Sequence, residues 1–100
     1  MSLSDDILPV EELTAGVMAT IADRVAAAVS FTDLIYRESE IDALWSLADI
    51  AARDATLSAA PDAPRWHALR DEIGRAHDLL PDGHSTEAAT ILRKAATLLP

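Results

Sequence analysis

Apolar side chains recur at intervals of three and four residues almost without pause from Val10 to Leu99, and that spacing is the period of an amphipathic helix, not of a strand. Only four breaks interrupt it: Pro9, Arg37 to Ser39, Ala60 to Pro64, and Pro81 to Gly83. The pattern predicts an all-α chain of four helical segments. Connections this short make sequential helices antiparallel neighbours, so the expected architecture is a four-helix up-down bundle built from two helical hairpins. One hundred residues suffice for one core and not for two, which predicts a single domain, 1–100.

Composition then says how the segments pack. Roughly a fifth of the chain is alanine and only 4% is aromatic, so the core has to be thin, with backbones drawn close together. There is no cysteine and hence no disulfide or thiolate metal site, which leaves a cytoplasmic setting as the expectation. Met1 to Asp6 carries two acids and no base, the wrong charge for a secretory leader, and Asp23 and Arg24 interrupt the most apolar stretch, so no membrane span is expected. Net charge is −9, concentrated in residues 1–50, which hold ten acids and two bases against seven and six in residues 51–100. That field repels nucleic acid and anionic lipid, and a protein partner or a second copy remains the expected company. Seven arginines to one lysine, with so much alanine, suggest a GC-rich, bacterial type of coding sequence.

The first segment, Val10 to Tyr36, places Val10, Val17, Met18, Ile21, Val25, Ala28, Val29 and Ile35 on one side. Ser30 and Asp33 have the spacing of a capping box that would restart the helix at Phe31. Because the apolar stripe keeps its phase through Ile35, the periodicity predicts one continuous helix. A second stripe, Ala15, Ala19, Ala22 and Ala26, is small enough to admit a close neighbour, and a homodimer is its natural user. The second segment is expected at Glu40 to Leu57, capped by Ser39 with Asp42. Its polar wedge is Asp42, Ser46, Asp49, Arg53 and Thr56, with Asp49 and Arg53 spaced for an ion pair. Ile41, Leu44, Trp45, Leu47, Ile50, Ala51, Ala55 and Leu57 cover much of the rest, more apolar surface than two short neighbours can hide. Leu44, Trp45, Leu47 and Ile50 are therefore read as the exposed part of an interaction face.

Segment three, Pro64 to Leu80, presents Trp66, Leu69, Ile73, Ala76 and Leu80 inward, with Asp62 as its expected cap. Pro81, Asp82 and Gly83 form a turn in which glycine supplies a positive φ. Segment four, from His84 or Ser85 to Leu99, presents Ala88, Leu92, Ala95, Ala96 and Leu99.

Catalytic patterns are missing: no serine lies beside a glycine-rich elbow, and three glycines form neither a P-loop nor a dinucleotide motif. No enzyme activity and no cofactor are expected. For a metal, His67, Asp71, His77, Asp78 and His84 are the candidates, but they lack the pairwise helical spacing of such sites. Gly83, Glu87, Ala88, Leu92, Lys94, Ala95, Leu98 and Pro100 follow the spacing of the second helix of a tetratricopeptide repeat, which residues 83–100 resemble. That resemblance implies peptide or protein binding and brings no catalytic residue; Glu72 and Arg75 depart from the family's preceding helix, whereas Ala76 agrees. The stretch Ala68 to Gly74 looks like the H-box of a histidine-kinase dimerisation family, with Arg70 where the phosphoacceptor histidine should stand. His67 with Leu69 and Arg70 loosely resembles a histidine-phosphotransfer domain, which implies His67 as phosphoacceptor, although Asp71 occupies the place of an expected small residue. The leading reading is a small acidic interaction module; phosphotransfer through His67 and a metal-binding bundle are the alternatives.

Overall fold

The computed structural model describes residues 7–99 and, among them, is all-helical: α1 spans Ala15–Ala26, α2 Phe31–Leu57, α3 Ala63–Leu79 and α4 Ser85–Ala95, followed by a 3₁₀ turn at Ala96–Leu98. The four helices pack as a bundle in which α3 lies against both α2 and α4, and α4 lies against α1. Contacts between α2 and α3 fix their antiparallel sense: Asp42 meets His77, Trp45 meets Gly74, Asp49 meets Arg70 and Thr56 meets His67. The core is a row of large side chains (Met18, Ile21, Ile41, Leu44, Leu69, Ile73, Leu80 and Leu92) set among the alanines 22, 48, 76, 88, 89 and 95.

The first two segments divide elsewhere than their apolar periodicity predicts. No single helix runs from Val10 to Tyr36, and there is no turn after Arg37; the break lies at residues 27–30, and α2 begins nine residues before Glu40. Local polar chemistry decides it. Ser30 adopts an extended backbone and its hydroxyl accepts from the Asp33 N–H at 3.1 Å, while the Asp33 carboxylate accepts from the Val29 N–H at 3.2 Å. One first-turn N–H and the N–H just before the cap are thus satisfied where a continuous helix would have left two side chains idle. The Val29 amide, and after it the Ser30 side chain and backbone, hold the Asp33 carboxyl below the usual carboxylate range. Ser39 consequently lies inside α2 and caps nothing, and Val29 and Ile35, expected on the buried stripe, are exposed.

The charged run that looks like a break is an internal ionic cluster. Glu40 is fully buried, and its carboxylate takes hydrogen bonds from Arg24 of α1 at 2.8 Å, from Arg37 one turn earlier at 3.1 Å and from the Leu8 N–H at 2.6 Å. This cluster ties α1 and the extended segment before it to α2. The other end of α2 closes with the hydrogen-bond pair of a Schellman turn: Ala60 N–H to the Ala55 carbonyl at 2.8 Å and Ala59 N–H to that of Thr56 at 3.2 Å. Glycine usually fills the left-handed position of that turn; here Ala59 does, at φ 54°. At the α3–α4 connection Gly83 holds φ 80°, as the Pro-Asp-Gly turn requires. Asp62 precedes α3 but does not cap it with its side chain; its carboxylate accepts instead from the Trp66 indole N–H at 3.1 Å and from Arg65.

Candidate functional site

An outward apolar surface on α2 is the most distinctive feature of the molecule. After Leu44 the inward positions of this helix are all alanine (Ala48, Ala52 and Ala55), whereas Ile50 is 56% and Leu57 86% exposed. Phe31, at the other end, is 78% exposed, with Ile35 one turn on. A helix that packs on one side only turns a stripe of large apolar side chains inward and polar ones outward. On α2 beyond Leu44 the order is reversed.

The residues expected to form an interface divide between core and surface. Leu44 is fully buried between the helices and has no part in an exposed face; Leu47 is half-buried, Trp45 is 37% exposed, and Ile50 stands free. On α1, Ala22 is fully buried, whereas Ala15, Ala19 and Ala26 are exposed. Asp23, beside them on the helix, reaches Arg93 of α4 at 2.9 Å, so this edge of α1 is turned toward α4. The small-residue stripe is therefore occupied at Ala22 by packing inside the bundle. Trp45 and Trp66 both serve the bundle: Trp66 packs against the core, and the Trp45 ring crosses Gly74 of α3, where an added Cβ would lie 3.5 Å from the indole nitrogen.

Trp45, Gly74, Asp42, His77 and Asp78 line an open groove of about 360 Å³ between α2 and α3. His77 there has carboxylate oxygens of Asp42 at 3.2 Å, Glu38 at 3.4 Å and Asp78 at 3.5 Å. Among the described residues, no group of three or more His, Cys, Asp or Glu side chains is disposed to hold a metal ion. Nearby, Asp49 accepts from Arg70 at 3.2 Å and pairs with Arg53 at 2.9 Å, which joins α2 to α3. Burial opposes the Arg70 charge, but hydrogen bonds and attraction from Asp49 and Asp71 outweigh it and raise the guanidinium above its ordinary value.

His67 sits beside Arg53, Thr56 and Leu57. Its Nε2 lies 2.7 Å from the Thr56 hydroxyl oxygen, and that hydroxyl already donates its one proton to the Ala52 carbonyl at 2.9 Å. The Thr56 oxygen is then the acceptor and His67 Nε2 carries the hydrogen, which leaves Nδ1 as the basic nitrogen. Phosphorylation at Nε2 would have to break this bond.

Sequence reasoning passed over Phe31 and Val29 as surface, and Arg24, Arg37 and Glu40 as a cluster; Leu57 was on the wide apolar arc of the second segment but not among its named contact residues. The signal for Val29 and Phe31 was the Ser30–Asp33 spacing, and for the cluster the three-residue spacing of Arg37 and Glu40 within a helix. No helix among the described residues is long and apolar enough to cross a membrane. Comparison of the chain with protein-family models, curated proteins and solved structures gave no match.

Proposed function

We propose that this chain is a protein-interaction module that docks through the outward face of α2, with Ile50 and Leu57 as its main apolar contacts and Leu47 at its edge. The reversal along α2 carries the reading: alanines face inward at 48, 52 and 55 while larger side chains face water at 50 and 57. Fully burying a side chain of that size is worth about 1.5–3 kcal/mol, and these two leave more than half of their area in solvent. Covering them by a partner recovers that free energy. Phosphotransfer through His67 lacks comparable support: its Nε2 is taken by the hydrogen bond to Thr56, which leaves only Nδ1 open.

Site-specific photocrosslinking in cells tests the proposal. A photoreactive residue at position 50 or 57 is expected to give a discrete protein adduct, and one at Thr90, exposed on α4, is expected to give none. Equal labelling at all three positions, or none at 50 and 57, would overturn it.

A further inference from the structure

Resting on that reading, we infer that the occupant of the α2 face is a second copy of this chain, paired antiparallel through α2 about a twofold axis beside Ser46 and Leu47. Tyr36, Ala43, Ile50 and Leu57 follow one another at intervals of seven, the repeat of a helix that winds against another helix. On the next row of the same face stand Ser39 and Ser46, small enough to let the two backbones come close. When two copies of this strip run in opposite directions about that axis, Ile50 of one protomer falls opposite Ala43 of its partner, and Leu57 opposite Tyr36. Large then meets small at the centre, and aliphatic meets aromatic at the ends. A parallel pair would stack Ile50 on Ile50 and Ala43 on Ala43, overfilled at one level and hollow at the next. A twofold pair is also the commonest assembly and the one in which a single surface serves both sides.

Charge separates this occupant from a basic partner. The chain carries −9 overall, but Tyr36, Ser39, Ala43, Ser46, Ile50 and Leu57 are all uncharged, so the strip is where two acidic copies can approach with least repulsion. A surface made for a basic partner would set its acids on the strip. Instead Glu38 and Asp42 are near His77, Asp49 engages Arg70 on α3, and Arg53 is committed to Asp49 on its own helix. Asp54, at the margin, falls opposite Ser39 of the partner and not opposite another acid. In this register the two α2 helices overlap from Tyr36 to Leu57, about 33 Å, and at a helix diameter of about 10–12 Å the strip projects roughly 330–400 Å² per protomer. That is smaller than a standard stable interface and fits only a weak, transient dimer, one that forms towards the top of the micromolar-to-millimolar concentration range.

Sedimentation equilibrium of the full chain over roughly 1 μM to 1 mM is the primary test. The apparent mass is expected to double from 10.7 kDa within that range, and Ile50→Glu is expected to weaken pairing at least tenfold while leaving the helical dichroism and urea midpoint unchanged. Because the native chain has no cysteine, geometry can be read separately. An equimolar mixture of Ala43→Cys and Ile50→Cys chains is expected to form mixed disulfide dimers under mild oxidation, and Thr90→Cys chains are expected to stay unlinked. Disulfides that join like positions only, a dimer that Ile50→Glu leaves intact, or a wild-type chain that remains at 10.7 kDa throughout would each overturn the inference. A monomer whose photoreactive position 50 still captures a different protein overturns the self-pairing alone; a monomer that captures nothing overturns the interaction reading as well.

Discussion

Replacing Glu40 by glutamine keeps the shape of the side chain and deletes the one carboxylate that Arg24, Arg37 and the Leu8 amide share. The magnitude follows from burial. Glu40 is inaccessible and the Arg37 side chain is 6% exposed, so neither loses much of its interaction to solvent, whereas Arg24 at 21% can recover part of its hydration. Removing one partner of a buried ion pair costs about 3–5 kcal/mol, because the charge left behind stays desolvated. Partial solvation of Arg24 puts Glu40→Gln at the lower end, about 3 kcal/mol, a large fraction of the roughly 5–15 kcal/mol that holds a domain of this size together. With about 4–8 °C per kcal/mol for a chain of 60–100 residues, the melting temperature should fall by roughly 12–24 °C. Urea unfolding followed by far-ultraviolet dichroism measures it, with Glu38→Gln as the comparator. Glu38 is half-exposed, and its change should stay within about 0.5 kcal/mol. A Glu40→Gln chain within about 1 kcal/mol of wild type would refute the reasoning and mean that the cluster holds α1 to α2 less firmly than its distances imply.

Ser30→Ala removes the hydroxyl that starts α2 and is expected to lower stability by about 1 kcal/mol in urea titration. The folded Asp33 carboxyl titrates below its unfolded value of 3.8, so its contribution is fully present above that pH and is lost as pH falls through the lowered folded value. Asp33→Asn should flatten that acid limb of the stability profile, and an unchanged limb would refute the assignment. Ala59→Gly relieves a left-handed alanine and should stabilise by about 0.5–1 kcal/mol, while Gly83→Ala, at φ 80°, should cost about 1–2 kcal/mol; equilibrium unfolding reads both. Ile50→Ser and Leu57→Ser change exposed positions, and in dilute solution each should move the urea midpoint by no more than about 0.5 kcal/mol of stability.

The helical class and the later boundaries were legible because proline and glycine punctuate them: Pro61 and Pro64 bracket the entry to α3, and Gly83 marks the turn two residues before α4 starts. The first boundary was not. An apolar stripe that held its phase across Ser30 argued for one helix, yet two side-chain hydrogen bonds at Ser30 and Asp33 outweighed that periodicity. Arg37 to Ser39 read as a break because hydropathy scores each charge alone, and cannot see that Arg37 and Glu40 neutralise each other one turn apart. On the candidate surface, the excess of apolar residues along α2 could be read from the sequence. Which of Leu44 and Ile50 faces in depended on where α1 and α3 settle, a tertiary fact with no local signature.

The alanine lining of α2 has a consequence for how the protein can change. An alanine side chain surrenders no rotamer freedom when it is enclosed, so this half of the helix docks at little entropic cost but gains little from being covered. Cohesion of the bundle then rests on its large enclosed side chains, such as Leu44, Leu69 and Ile73. Ala48 and Ala52 are both fully buried, so growth by even a few carbons at either would overpack the helix contact and cost stability. Substitutions on the outer side of α2 can therefore change what it contacts without disturbing the scaffold beneath, whereas those on its inner side disturb the scaffold itself.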